Sequence, residues 1–234
     1  MAHALGLVTF AGTATMADTV VWSQPGGDPG AGGGNPVSYY FSDNGTTSPG
    51  EGRAADGFNV ATSSQMSLTS VRWWGSGQVW FVQYNPDPFD GILSFAVTIL
   101  ENSGGLPGSQ VWTASIDKDD ITATAAGFGS EYATLSKYET ALVGVPTLES
   151  GSYFISIVAE LASPTGADRW AWEGITGDGS PQWDGSKWST NPGVDLAFEL
   201  SGTVTTVPLP APVLLTGVGL LGLIPLRRRL VRSA

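Results

Sequence analysis

Two tryptophans five residues apart, Trp183 and Trp188, sit in the polar stretch Asp178-Gly179-Ser180-Pro181-Gln182-Trp183-Asp184-Gly185-Ser186-Lys187-Trp188. Indole rings stack on the apolar faces of sugar rings, while nearby carboxylates and amides take the hydroxyls. Trp183, Trp188, Asp184 and Gln182 are therefore candidate carbohydrate contacts. The stretch reads as a loop, where a bulky indole needs a reason to be present. For the tryptophans on strand-like runs the plainer account is that they fill a large β core. Adjacent Trp73 and Trp74 must point to opposite faces of a strand, one inward and one outward. Trp170 and Trp172 share a face, with Arg169, Ala171 and Glu173 on the other.

Carboxylates offer two further chemistries. Asp117, Asp119 and Asp120 cluster, as do Asp87 with Asp90 and Asp178 with Asp184, and oxygen ligands of this kind suit calcium. The segment Asp117-Lys118-Asp119-Asp120 lacks the glycine and final glutamate of an EF-hand loop, so a solvated turn is the competing account. A glycosidase needs two Asp or Glu side chains across a cleft, and Glu160, Glu173 and Glu199 lie on strand-like runs. Glu173 alternatively pairs with Arg169 or faces water.

Absent residue types narrow the choice. The chain has no cysteine, and its one histidine is His3. Beyond residue 3 a Cys-His nucleophile, a Ser-His-Asp triad and most zinc sites are excluded, as are disulfides. Residues 18–207 carry six basic side chains against all 21 acidic ones, a formal charge of −15. Such charge argues against nucleic acid as a partner and is compatible with cations or neutral glycans. The glycine-rich run at 26–35 is not followed by Gly-Lys-Ser/Thr, so no phosphate cradle is indicated.

These residues are carried by short β-type runs separated by glycine, proline and asparagine turns. Strands are expected at 37–41, 57–61, 66–74, 79–84, 92–100, 110–116, 133–141, 152–160, 169–173 and 194–204. Leu196, Phe198 and Leu200 alternate with polar or small neighbours, and Phe95, Val97 and Ile99 do the same. About ten such strands predict an all-β fold, a jelly-roll-like antiparallel β-sandwich, over residues 37–206. Residues 18–36 read as a flexible, Gly-rich N-terminal segment.

Both ends read as addresses. Residues 1–17 form a short apolar stretch ending Thr15-Met16-Ala17, a signal peptide with cleavage expected between Ala17 and Asp18. At the other end, residues 207–226 carry no charge, and 20 residues of helix would span a bilayer core of roughly 30 Å. Pro208, Pro210 and Pro212 favour an extended start, leaving 14 residues from Val213 as the helical core. Arg227, Arg228, Arg229 and Arg232 follow, on the side that stays cytoplasmic. The spacing Gly217-Val218-Gly219-Leu220-Leu221-Gly222 matches a dinucleotide fingerprint, but the 12 residues after it are too few for a βαβ unit.

Val207-Pro208-Leu209-Pro210-Ala211, a short Leu/Gly-rich segment and a terminal Arg cluster together resemble the sorting signal of PEP-CTERM proteins, in the variant that begins Val-Pro-Leu-Pro-Ala. The resemblance covers residues 207–234. It implies a transmembrane sorting helix that inserts transiently and is removed by an exosortase-type membrane enzyme after the secretion machinery has exported the chain. It also implies an inner-membrane intermediate, then a cell-surface or extracellular-matrix protein linked with exopolysaccharide and biofilm. An ordinary tail anchor and a buried helix are the alternatives for the same residues. Less specifically, Ala55-Asp56-Gly57-Phe58, Ser70-Val71-Arg72-Trp73-Trp74-Gly75, Gly105-Leu106-Pro107-Gly108 and Gly151-Ser152-Tyr153-Phe154-Ile155-Ser156-Ile157 resemble β domains that precede such tails. The expectation is an adhesive or structural module that binds exopolysaccharide, with no catalytic residues. A carboxylate-dependent glycoside hydrolase is the rival.

Overall fold

The computed structural model describes residues 19–25, 38–42, 52–79, 89, 91–128, 134–163 and 168–207. The expected signal peptide with its Ala17–Asp18 junction, and the tail from Pro208 through Arg227, Arg228 and Arg229, lie outside the described residues. Among the described residues, no helix is long and apolar enough to cross a membrane.

The chain forms strands β1 (Thr19–Gln24), β2 (Ser38–Phe41), β3 (Arg53–Val60), β4 (Ser64–Val79), β5 (Ile92–Ser103), β6 (Leu106–Asp117) and β7 (Thr122–Phe128). It continues with β8 (Thr134–Ala141), β9 (Gly151–Leu161), β10 (Asp168–Thr176), β11 (Ser180–Trp183), β12 (Trp188–Asn191), β13 (Val194–Leu196) and β14 (Phe198–Thr206). A single 3-10 turn, Lys118–Asp120, interrupts the described β structure. Two antiparallel sheets result. One runs β12-β11-β3-β9-β5-β6; the other runs β1-β14-β4-β10-β13, with β8 and then β7 on the far side of β4 and β2 alongside β10.

Local chemistry explains the tightest joints. The β5–β6 hairpin turns on Gly104 and Gly105, whose φ values of 67° and 88° are costly for any other residue, and Asn102 Oδ1 accepts from Gly105 N–H at 2.8 Å. On β4, a Cβ at Gly75 would lie 2.4 Å from the Trp170 ring, so this position is what lets that indole enter the interior.

The sheets pack face to face as a β-sandwich. Phe95, Val97 and Ile99 of β5 and Ile155, Ile157 and Ala159 of β9 meet Trp73, Tyr138, Trp170, Trp172, Phe198 and Leu200 from the larger sheet. Phe95 stands edge-on to Trp73 and Trp170, with centroids 5.3 and 5.1 Å away, and so ties the smaller sheet to the larger. Trp73 and Tyr138 stack at 5.4 Å within the larger one. Each fully buried tryptophan removes on the order of 200 Å² from water, so this cluster is the main apolar joint of the fold.

A polar joint lies beside it. Asp56, on the interior face of β3, accepts from Leu196 N–H on β13 at 2.5 Å and from Gly57 N–H at 2.6 Å. Burial, reinforced by the nearby Asp195 charge, pushes its carboxyl up to about 7 despite these two donors.

The sandwich and most expected strands agree with the sequence reading, and four strands were not expected. β1 lies inside 18–36, read as flexible; its Thr-Val-Val-Trp run pairs with β14 instead. β7 is built from Thr, Ala and Gly, with too little hydrophobicity to stand out, and pairs only with β8. β11 and β12 occupy the stretch read as a loop. The expected strand 194–204 is broken at Ala197, whose N–H donates to Glu173 O at 2.9 Å while its carbonyl accepts from Trp172 Nε1 at 2.8 Å. There the chain leaves β10 and joins β4.

Candidate functional site: a groove on the smaller sheet

Strand pairing fixes which side chains share the outer face of the six-stranded sheet. Trp183 lies opposite both Trp188 and Arg53. Ser156 lies opposite Ala55 and Thr98, and Thr98 opposite Thr113. Val158 and Glu160 continue the row along β9. Directly opposed residues point to the same side, so one face collects indoles, hydroxyls, one guanidinium and one carboxylate.

The sheet curls enough for its two edge strands, β12 and β6, to approach each other. Between them lies a cavity of about 450 Å³ whose floor includes Ser156, Val158, Ala96 and Thr98 and whose walls include Trp183, Trp188, Gln110 and Thr113. That volume lies within the ordinary range of small-ligand sites. Trp183 and Trp188 are both half-buried, with ring centroids 5.5 Å apart and planes at 62°.

Hydrogen bonds order the polar lining. Thr98 and Thr113 share a bond between their hydroxyls at 2.9 Å, and Ser156 Oγ donates to Ala54 O at 2.7 Å. Glu160 Oε2 accepts from Ser94 Oγ and, at 3.2 Å, from Ser115 Oγ. One end of the groove thus holds a carboxylate between two hydroxyls. Its middle offers hydroxyl oxygens with lone pairs to spare.

Of the four residues proposed from sequence, two line the groove. Trp183 and Trp188 do so as the last residue of β11 and the first of β12. Gln182 does not: it pairs with Ala54 on the interior side, where its Nε2 is buried without a hydrogen-bond partner. Alternation along β11 requires this, because a strand neighbour of an outward indole must turn inward. Asp184 is spent on the turn, its Oδ1 accepting from Ser186 N–H, Ser186 Oγ and Lys187 N–H at 2.9, 2.7 and 3.0 Å. Those bonds hold its carboxyl below the usual range, the Ser186 hydroxyl foremost. Asp184 therefore ties the turn that carries the two indoles and is not part of the groove lining. Glu160 was read only as a glycosidase carboxylate, and Arg53, Thr98, Thr113, Ser156 and Gln110 went unrecognised, since no local motif marks them.

The other carboxylates have different surroundings. Asp117 Oδ1 caps the 3-10 turn by accepting from Asp119 N–H at 3.0 Å. Among the described residues no group of three or more Asp or Glu side chains, including Asp117, Asp119 and Asp120, is arranged to hold a metal ion. Glu199 accepts from Arg72 at 2.7 Å and from Ser23 Oγ at 3.0 Å, and Arg72 also binds Glu139 at 2.9 Å. These contacts, that with Glu139 first, raise the guanidinium pKa further. Glu173 is 1% exposed rather than facing water; its Oε2 has no hydrogen-bond partner, and burial raises its carboxyl to about 7. It lies on β10 on the side away from Trp170 and Trp172, hence on the opposite flank of the sandwich from Glu160. Those two carboxylates share no cleft.

Trp73 is fully buried, whereas Trp74 is only half-buried, as adjacent strand positions demand. Trp170 and Trp172 are both fully buried, 6.5 Å apart, and belong to the core. Among protein-family descriptions, curated proteins and solved structures, none matches this chain.

Proposed function

We propose that this protein is an exported surface or extracellular-matrix module that holds exopolysaccharide in the groove of its smaller sheet, as an adhesive or structural component and not as an enzyme. The observation carrying this reading is the pairing of Trp183 with Trp188 on the outer wall of a hydroxyl-lined groove. Half-exposed indoles beside hydroxyls, one amide and one carboxylate match what a sugar ring requires: an apolar face to stack on and a ring of hydroxyl partners. Export rests on the apolar N-terminus and on the Val207-Pro208-Leu209-Pro210-Ala211 tail with Arg227, Arg228 and Arg229, which resembles a sorting signal cut by an exosortase-type enzyme. A jelly-roll-like connectivity is part of the proposal. In its support, the chain crosses between sheets repeatedly, from β2 to β3, β3 to β4, β4 to β5, β6 to β7, β8 to β9, β9 to β10, β10 to β11 and β12 to β13.

The glycosidase reading keeps a single support, Glu160 at one end of the groove with Ser94 and Ser115 on its oxygen. Two measurements test the proposal. Intact mass of protein taken from the host surface should lack Arg227 to Arg232, and purified protein should be retained by host exopolysaccharide without releasing sugar. Steady sugar release abolished by Glu160→Gln would replace the binding reading with the enzymatic one.

A further inference from the structure

The angle between the two groove indoles limits the form in which a glycan can arrive. A flat ribbon or an ordered fibre presents successive sugar rings in one plane and is met by coplanar aromatic rings. Trp183 and Trp188 stand edge to face, 62° apart, so a sugar stacked on one indole meets the other as a side wall. The curl of the sheet adds a second constraint. With β12 close to β6, the floor residues Ser156 and Thr98 lie between two walls, out of reach of an extended crystalline surface.

Charge supplies the third. The groove lining contains one cation, Arg53, and one anion, Glu160, so it offers no net charge to a polyanion. The surrounding domain, with six basic and 21 acidic residues, repels one. Resting on the polysaccharide reading above, we infer that the groove takes one free, uncharged polysaccharide chain, lying along β9 and β5 with a single sugar ring stacked on one indole and walled by the other.

The test uses the full chain with host extracellular polysaccharide separated into neutral soluble, acidic soluble and particulate fractions. The neutral soluble fraction should be retained, with affinity changing less than about twofold between low and high salt. Trp183→Ala should weaken retention by about fivefold or more, the scale of one aromatic contact. Thr98→Val, nearly isosteric on the groove floor, should also weaken it and serves if the tryptophan variant fails to fold. Preference for the acidic or particulate fraction, lost in the same variants, would overturn this inference and leave the groove a glycan site. Retention indifferent to both substitutions, or absent for every fraction, would remove the groove reading and the inference together.

Discussion

Trp73, Trp170 and Trp172 lie between the sheets with no exposure, whereas Trp183 and Trp188 stand half-covered on the wall of a groove. The same side chain is used in two ways, and the difference is what surrounds it. The interior three meet Phe95, Tyr138 and Phe198 on several sides, and Gly75 clears the space for Trp170. The outer two meet chiefly each other, on a hairpin whose turn is tied by Asp184. Surface left uncovered at such a position is free energy still available to a partner.

The contrast is sharpest in stability. Trp172→Ala removes a buried indole and its hydrogen bond to Ala197 O, and should destabilise the fold by about 3–5 kcal/mol in denaturant melts. A loss under about 1 kcal/mol would break the distinction between the two groups.

Acidity should probe the two buried carboxylates, Asp56 and Glu173. Asp56 moves from an ordinary 3.8 to about 7, so the folded state holds a proton that the unfolded state has lost across that window. The stability this contributes is fully present below about pH 4, falls as pH rises and is gone above about pH 7, a difference on the order of a few kcal/mol. Glu173, raised to about 7 by burial, acts in the same direction. Melting temperature should therefore fall from pH 5 to pH 8, and Asp56→Asn should flatten the slope. An Asp56→Asn profile as steep as the parent's would assign the dependence elsewhere.

At the groove the order reverses. Trp188→Ala should cost only about 1–2 kcal/mol, the worth of one aromatic pair and partial burial, while glycan retention drops. A core-sized loss of stability with retention unchanged would place Trp188 with the interior group. The smallest expected effect on melting belongs to Asp184→Ala. It loosens the turn, so retention should weaken with the melting temperature nearly unmoved, and full retention would show that the hairpin keeps its shape without the carboxylate.

Much of the interior was legible in the sequence because one strand period suffices to read it. Phe95, Val97 and Ile99 alternate with smaller or polar neighbours, and all three are buried. Trp73 and Trp74 divide between faces for the same reason. The groove was only half legible. Trp183 and Trp188 announce themselves by their type, and Asp184-Gly185 between them is a hairpin signal that reveals β11 and β12 once taken with the flanking aromatics. The floor carries no such mark. Ser156, Thr98 and Thr113 come from three strands and become neighbours only through register, which single-chain periodicity does not contain. Gln182 misled because its amide suits a sugar, whereas its parity on the strand sends it inward.

β14 is paired with β4 from Phe198 to Thr206 and with β1 from Phe198 to Gly202, and after it Val207 N–H donates to Ser63 O at 2.8 Å. A pull applied through the residues beyond Val207 is directed into this strand. Because β14 is bonded to β4 throughout and also to β1 over Phe198 to Gly202, a load along its axis is shared by many bonds at once, whereas peeling would open them singly. A domain held at that end and gripping a polymer on its other sheet would act as a mechanical link, with β14 as its loaded member.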